Sequence, residues 1–151
     1  WLYGGDPETI KTSIMQGRQG VMPAWQAILG DDGVRDVTGY VRNLSNLENP
    51  AGIAVDLDAG KQLYASNCAM CHGPDGKGLQ VLGAPDLTDK VWLYGSSFAQ
   101  VQQTIRYGRS GQMPAQADFL GNDKVHLLAA YVYSLSQREK APAEGQSREK
   151  D

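Results

Sequence analysis

Cysteine is scarce in this 151-residue chain, which has only Cys68 and Cys71. That excludes a disulfide-stapled framework, because a bridge between residues three apart closes too small a loop to gain much from chain entropy. Histidine is equally scarce, with His72 and His126 alone. No apolar run approaches the roughly 20 residues needed to span a bilayer. Neither sign of charge dominates: 14 basic and 17 acidic residues leave a net charge of −3, so no attraction to nucleic acid is expected. The opening residues lack the pattern of a signal or transit peptide. No stretch shows the strict alternation of a half-buried strand. What is present is an apolar content of 41%, enough for a packed core and too much for a wholly disordered chain. The first residue is Trp1, not Met, so a processed product or part of a longer chain is expected.

The sequence repeats itself. Trp1-Leu2-Tyr3-Gly4 returns as Trp92-Leu93-Tyr94-Gly95, and the register then holds without a gap. Gly17-Arg18 matches Gly108-Arg109, Met22-Pro23-Ala24 matches Met113-Pro114-Ala115, and Leu29-Gly30 matches Leu120-Gly121. Val34, Tyr40, Val41 and Leu44 match Val125, Tyr131, Val132 and Leu135. The second copy begins before Trp92, with the segment holding Cys68 and His72; the first copy has no such segment here. The expectation is a parent protein with two tandem domains. This chain would hold the C-terminal half of the first (1–46), a linker (47–55) and the complete second domain (56–137). A charged, disordered tail (138–151) would follow. The alternative is an ancestral half-duplication that never had a second such segment.

The fold class expected is all-α. Asp6 and Pro7 suit a helix start, with an end at Gly17. Val34, Val37, Val41 and Leu44 follow helical spacing over about 32–45. Asp56 or Asp58 would cap a helix running into Cys68. Residues 73–90 are rich in Gly, Pro and Asp and read as an ordered loop. Further helices are expected over 97–107 and 122–137.

The chemistry lies in Cys68-Ala69-Met70-Cys71-His72, the Cys-x-x-Cys-His pattern of covalent c-type haem attachment. Each thiol adds to a haem vinyl group, and the adjacent His72 becomes an axial ligand of the iron. A thioredoxin-like pair would need a strand–helix context that the sequence does not offer. A zinc site would need two more ligands, and only His126 remains. Met113, in Gly111-Gln112-Met113-Pro114 between two helices, is the candidate sixth ligand, approaching the face opposite His72. His126 reads as a surface residue, Met15 as packing or surface, and Met70 lies too close to the cysteines to cross the haem. Met22, the repeat mate of Met113, is assigned to the absent first haem. His/Met ligation fills both axial positions and raises the reduction potential, which describes an electron carrier rather than a haem enzyme.

These residues resemble a class I cytochrome c. Gly60 and Tyr64, with Tyr131 in the last helix, resemble that fold's crossing of first and last helices. The resemblance implies that the Pro85 carbonyl accepts from the His72 ring. The doubled Trp-Leu-Tyr-Gly and Gly-Arg-x-Gly-x-Met-Pro-Ala resemble, more closely, the dihaem subunit III of cbb3-type cytochrome c oxidase. That resemblance implies an N-terminal membrane anchor, absent here, and two haem domains on the periplasmic side of the bacterial inner membrane. The implied partners are a small soluble or membrane-bound cytochrome c donor and the other oxidase subunits. It implies a cofactor set of haem c on Cys68, Cys71, His72 and Met113. Trp92 and Arg109 would lie near the haem, with Arg109 pairing a propionate. The chain would be no enzyme by itself. The competing readings are a stand-alone dihaem carrier, an electron-donor domain of another periplasmic enzyme, and a haem-based sensor or peroxidase.

Overall fold

The computed structural model describes residues 1–138. Seven helices and two short strands follow one another as α1 (Pro7–Gln16), β1 (Arg18–Met22), α2 (Gln26–Leu44), α3 (Leu57–Asn67), α4 (Ala69–His72), α5 (Phe98–Tyr107), β2 (Arg109–Met113), α6 (Ala117–Leu120) and α7 (Asn122–Arg138). A single 3-10 turn, Gln80–Leu82, interrupts the loop between α4 and α5. The expected disordered tail lies outside the described residues, apart from Arg138, which ends α7.

The helix starts follow from capping chemistry. The Asp6 carboxylate accepts the Thr9 N–H at 2.9 Å, with Pro7 in the first turn of α1. Asp56 accepts from Asp58 and Ala59 at the head of α3. Ser97 and Gln100 close a reciprocal capping box on α5. The repeat is visible in the backbone as well. α2 bends at Gly30, and its mate Gly121 separates α6 from α7.

The two strands depart from the all-α expectation. β1 and β2 pair into a two-stranded sheet. Arg-Gln-Gly-Val-Met and Arg-Ser-Gly-Gln-Met are too short, and carry too few apolar side chains, to show a period of two. They are extended because each follows a helix stopped by glycine and leads into a Met-Pro step, where the proline disfavours helix for the residue before it.

The chain divides into two compact units. One contains Tyr3–Arg18 and everything from Met113 onward; the other contains Gln19–Gln112. In the first, α1 packs on α7 through Ile10, Ile14, Val125 and Ala129, all buried, with α6 against both helices. In the second, α2 packs on α3 and on α5. Its core is Val34, Val37 and Val41 from α2, Tyr64, Cys68, and Val101 and Ile105 from α5. Each such aliphatic side chain contributes about 1.5–3 kcal/mol by leaving water.

The expected helix crossing exists, with a different partner. Gly60 of α3 lies directly under the Asp36 carbonyl of α2, and the Tyr40 and Tyr64 rings meet at 5.3 Å, tilted by 52°. Tyr40 thus takes the place expected for Tyr131, which is 57% exposed. The two tyrosines are repeat mates on identical stripes, so helical spacing could not tell which would be used.

Candidate haem-attachment site

α3 delivers the chain into the motif. The Cys68 N–H donates to the Tyr64 carbonyl at 2.8 Å, continuing the helical ladder. The Cys68 carbonyl then accepts from Cys71 at 3.1 Å and from His72 at 2.9 Å. This tight turn holds two thiols and an imidazole within five residues. Both cysteines are free. Cys68 is buried, and burial, reinforced by the neighbouring Cys71, pushes its thiol up to about 11.

The following loop folds back on the motif. The His72 carbonyl accepts from Gly78 at 2.8 Å, and the Gly76 carbonyl accepts from Leu87 at 2.7 Å. The turn brings the Pro85 carbonyl 3.2 Å from Nδ1 of His72. Protonation at Nδ1 satisfies that carbonyl and leaves Nε2 as the free lone pair. Burial holds the His72 pKa below its ordinary value, against a smaller upward pull from Pro85. The neutral ring, the form that binds metal, is therefore favoured at pH 7.

Two supports went unnoticed in the sequence. Asp86 accepts from the backbone and hydroxyl of Thr88, at 2.7 and 2.6 Å, and its carboxylate stands 3.6 Å from Nζ of Lys77. The Thr88 bond, helped by Lys77, holds its pKa below the usual range. The signal was present: Asp-Leu-Thr right after a proline is an Asx-turn sequence. The other support is the Tyr64 hydroxyl, which donates to the Gly73 carbonyl at 2.7 Å, just past His72. Burial pushes the Tyr64 pKa upward. Tyr64→Phe removes one of two donors to that carbonyl, which also accepts from the Gly76 N–H at 3.2 Å, and should cost about 1 kcal/mol, read as a lower urea midpoint at unchanged slope. An unchanged midpoint would show that water replaces the hydroxyl.

The remaining candidates are distributed as follows. Trp92 is half-buried against the core that contains Cys68. Arg109 lies over the Tyr94 ring at 4.3 Å and donates to the Thr104 hydroxyl from Nε and an Nη, at 3.0 and 2.8 Å. Its mate Arg18 does the same with Tyr3 at 4.6 Å and with Ser13 at 2.8 Å. The arginine of the doubled Gly-Arg signature therefore has a local structural partner in each copy. His126 is exposed on α7. Met113, 42% exposed, belongs to the unit of α1 and α7. Cys68, Cys71, His72 and Pro85 belong to the other unit, as does Met22, which packs against the core containing Cys68. The structure thus does not bring Met113 into the unit that carries the motif. Among the described residues there is no cluster of three His, Cys, Asp or Glu side chains that could hold a metal by themselves.

Residues 55–132, just over half of the chain, match the family model described as cytochrome c oxidase, cbb3-type, subunit III. The chain belongs to that family. A cbb3-type cytochrome c oxidase subunit CcoP of Rubrivivax gelatinosus is 44% identical over 138 residues, covering 91% of this chain and 44% of the relative. The subunit FixP of Bradyrhizobium diazoefficiens is 40% identical over 145 residues, covering 89% and 49%. A CcoP of Rhodobacter capsulatus is 40% identical over 154 residues, covering 89% and 51%. This subunit III chain thus spans about half the length of the curated relatives it matches. Covalent haem c, which the family implies, fits the donors present: two free thiols three residues apart on one turn, and a neutral imidazole with Nδ1 already bonded. No helix among the described residues is long and apolar enough to cross a membrane.

Proposed function

We propose that this chain carries single electrons on a haem c linked to Cys68 and Cys71, relaying them from a cytochrome c donor to a cbb3-type terminal oxidase. The observation that carries this reading is the His72 ring, which one backbone carbonyl orients and which leaves a single nitrogen for iron. Haem c supplies a one-electron Fe(III)/Fe(II) couple. The protein's part is to hold that group rigidly and dry. Cys68 and Cys71 would hold the haem covalently, and His72 would bind its iron. The Pro85 carbonyl would fix the ring's tautomer and raise its basicity. Trp92, packed on the same core, would shield the group from water. Arg109 is the candidate partner for a propionate, in addition to its bonds to Thr104.

A methionine of the doubled Met-Pro loop would be the iron's other protein ligand. Order in the sequence nominates Met113; membership of the units nominates Met22. With histidine and methionine as its ligands the iron would serve electron transfer, and the chain would act as a subunit of an oxidase rather than as an enzyme. We place it on the periplasmic side of the bacterial inner membrane, as the C-terminal half of one cytochrome domain (1–46) followed by a second (56–137).

Expressed with c-type haem maturation, the intact chain should have the mass of its polypeptide plus one haem, and should keep its haem absorbance through acid–acetone extraction. A haem-free mass would sink the reading. Rapid, complete carbon monoxide binding by the reduced protein would instead favour an open-iron sensor or peroxidase.

A further inference from the structure

We propose that Asp86 is a positioning residue for His72: its side-chain turn with Thr88, braced by Lys77, aims the Pro85 carbonyl at the ring and thereby sets the reduction potential of the bound haem. The inference rests on the haem reading above and adds to it a residue that tunes the iron without touching it.

The loop after His72 forms a short two-armed strip. At one end Leu79 and Ala84 exchange N–H and carbonyl bonds in both directions, at 3.0 and 3.2 Å. At the other end the Leu87 N–H donates to the Gly76 carbonyl at 2.7 Å. This register sets Pro85 across from Gly78 and Asp86 across from Lys77. Gly78 makes room for the carbonyl. A Cβ there would lie 2.6 Å from the Pro85 carbonyl carbon and 2.7 Å from its oxygen, and its φ of 77° also favours glycine.

Room alone does not aim a carbonyl. A peptide unit is planar, so the Pro85 carbonyl and the Asp86 N–H turn together. The proline ring fixes φ of Pro85. The plane can then rotate only through ψ of Pro85 and φ of Asp86, and Asp86 is held from both arms. Its Oδ1 accepts from the Thr88 N–H at 2.7 Å and from the Thr88 hydroxyl at 2.6 Å. Nζ of Lys77, on the opposite arm, donates to that hydroxyl at 2.5 Å and stands 3.6 Å from Oδ2 of Asp86. Little of the clip's value lies in folding. The Lys77 side chain is 61% exposed, and an ion pair so open to water stabilises weakly. Its place beside the carbonyl that meets the His72 ring is what gives it a use.

The consequence is electronic. The bond from Nδ1–H to the Pro85 carbonyl makes Nε2 a stronger donor, which favours Fe(III) and lowers the potential. A slack clip lets the carbonyl swing away, and the potential rises.

The test uses the haem-loaded chain with 15N-labelled histidine, of which it has two. Exchange of the His72 Nδ1 proton with water and the reduction potential are both read. Asp86→Ala removes the charge and the acceptor. Asp86→Asn removes the charge alone, because an amide oxygen closes the same turn. Asp86→Ala should speed ring-proton exchange about tenfold, the factor for losing one hydrogen bond. It should also raise the potential above that of Asp86→Asn, whose exchange rate should match the unsubstituted chain. If Asp86→Ala takes up no haem, Thr88→Val, which loses the hydroxyl and keeps the N–H, should speed exchange in the same direction; an unchanged rate there overturns the proposal. Equal potentials in the Ala and Asn variants, or exchange untouched by Asp86→Ala, overturn it while the haem reading stands. A chain whose mass shows no bound haem overturns both.

Discussion

Gly60→Val should cost the haem-loaded chain about 3 kcal/mol of stability, near the top of the range for overpacking. The position faces backbone on one side. A Cβ there would lie 2.8 Å from the Asp36 carbonyl carbon and 3.0 Å from Cβ of Tyr40, closer still to the Asp36 oxygen. A side chain in the way can rotate; a carbonyl within a helix cannot move without its neighbours. Those neighbours are anchored, because Val34 and Val37 of α2 are fully buried. Asp36 itself is pinned, its carboxylate accepting the Asp56 N–H at 3.1 Å while Arg35 bonds it at 2.9 Å. The helices must separate, and the Tyr40–Tyr64 ring contact opens with them. Guanidinium denaturation followed at the haem absorbance reads the loss as a lower midpoint. Gly60→Ala, without the branched methyls, should fall between Gly60→Val and the unsubstituted chain. A Gly60→Val midpoint equal to that of the unsubstituted chain would show that α2 does not lie on α3 in solution.

The double replacement Cys68→Ala with Cys71→Ala should abolish covalent haem entirely, because no other thiol is present to form a thioether. Each single variant should keep one link and survive acid–acetone extraction. The singles should nonetheless differ. Cys68 is 9% exposed and belongs to the core with Val101 and Ile105, whereas Cys71 is partly exposed. Cys68→Ala removes a buried sulfur and leaves a void, so it should lower the unfolding temperature more than Cys71→Ala does. Intact mass counts the haems, and thermal melts rank the variants. Haem that resists extraction in the double variant would mean that the attachment lies elsewhere.

Much of this site was legible because its chemistry is local. Cys68, Cys71 and His72 sit within one turn, and their spacing states the geometry without any tertiary information. The caps at Asp6, Asp56 and Ser97 are likewise short-range, and the helix starts fell where they pointed. The Pro85 carbonyl lies thirteen residues from His72, and only the family resemblance led to it. The strands escaped notice because five residues containing a glycine offer no periodicity to read. The choice between Tyr40 and Tyr131 was undecidable in principle. A repeat writes the same apolar stripe twice, and periodicity says that a stripe will be buried without saying against which partner. The same duplication that is plain in the sequence hid the pairing.

The division of the chain has a topological meaning. Residues 19–112 form one uninterrupted stretch, while the other unit is assembled from segments on either side of it. In sequence, one unit is thus inserted within the other, as a guest within a host. The guest's helices α2, α3 and α5 have all been made once residue 112 has left the ribosome. The host must wait for α7 before α1 finds its partner. Loop closure across so long a guest carries a heavy entropic cost if the guest is unfolded, and a far smaller one once it has folded. Synthesis from the N-terminus therefore sets an order of assembly, with residues 19–112 free to fold before α7 is available to α1.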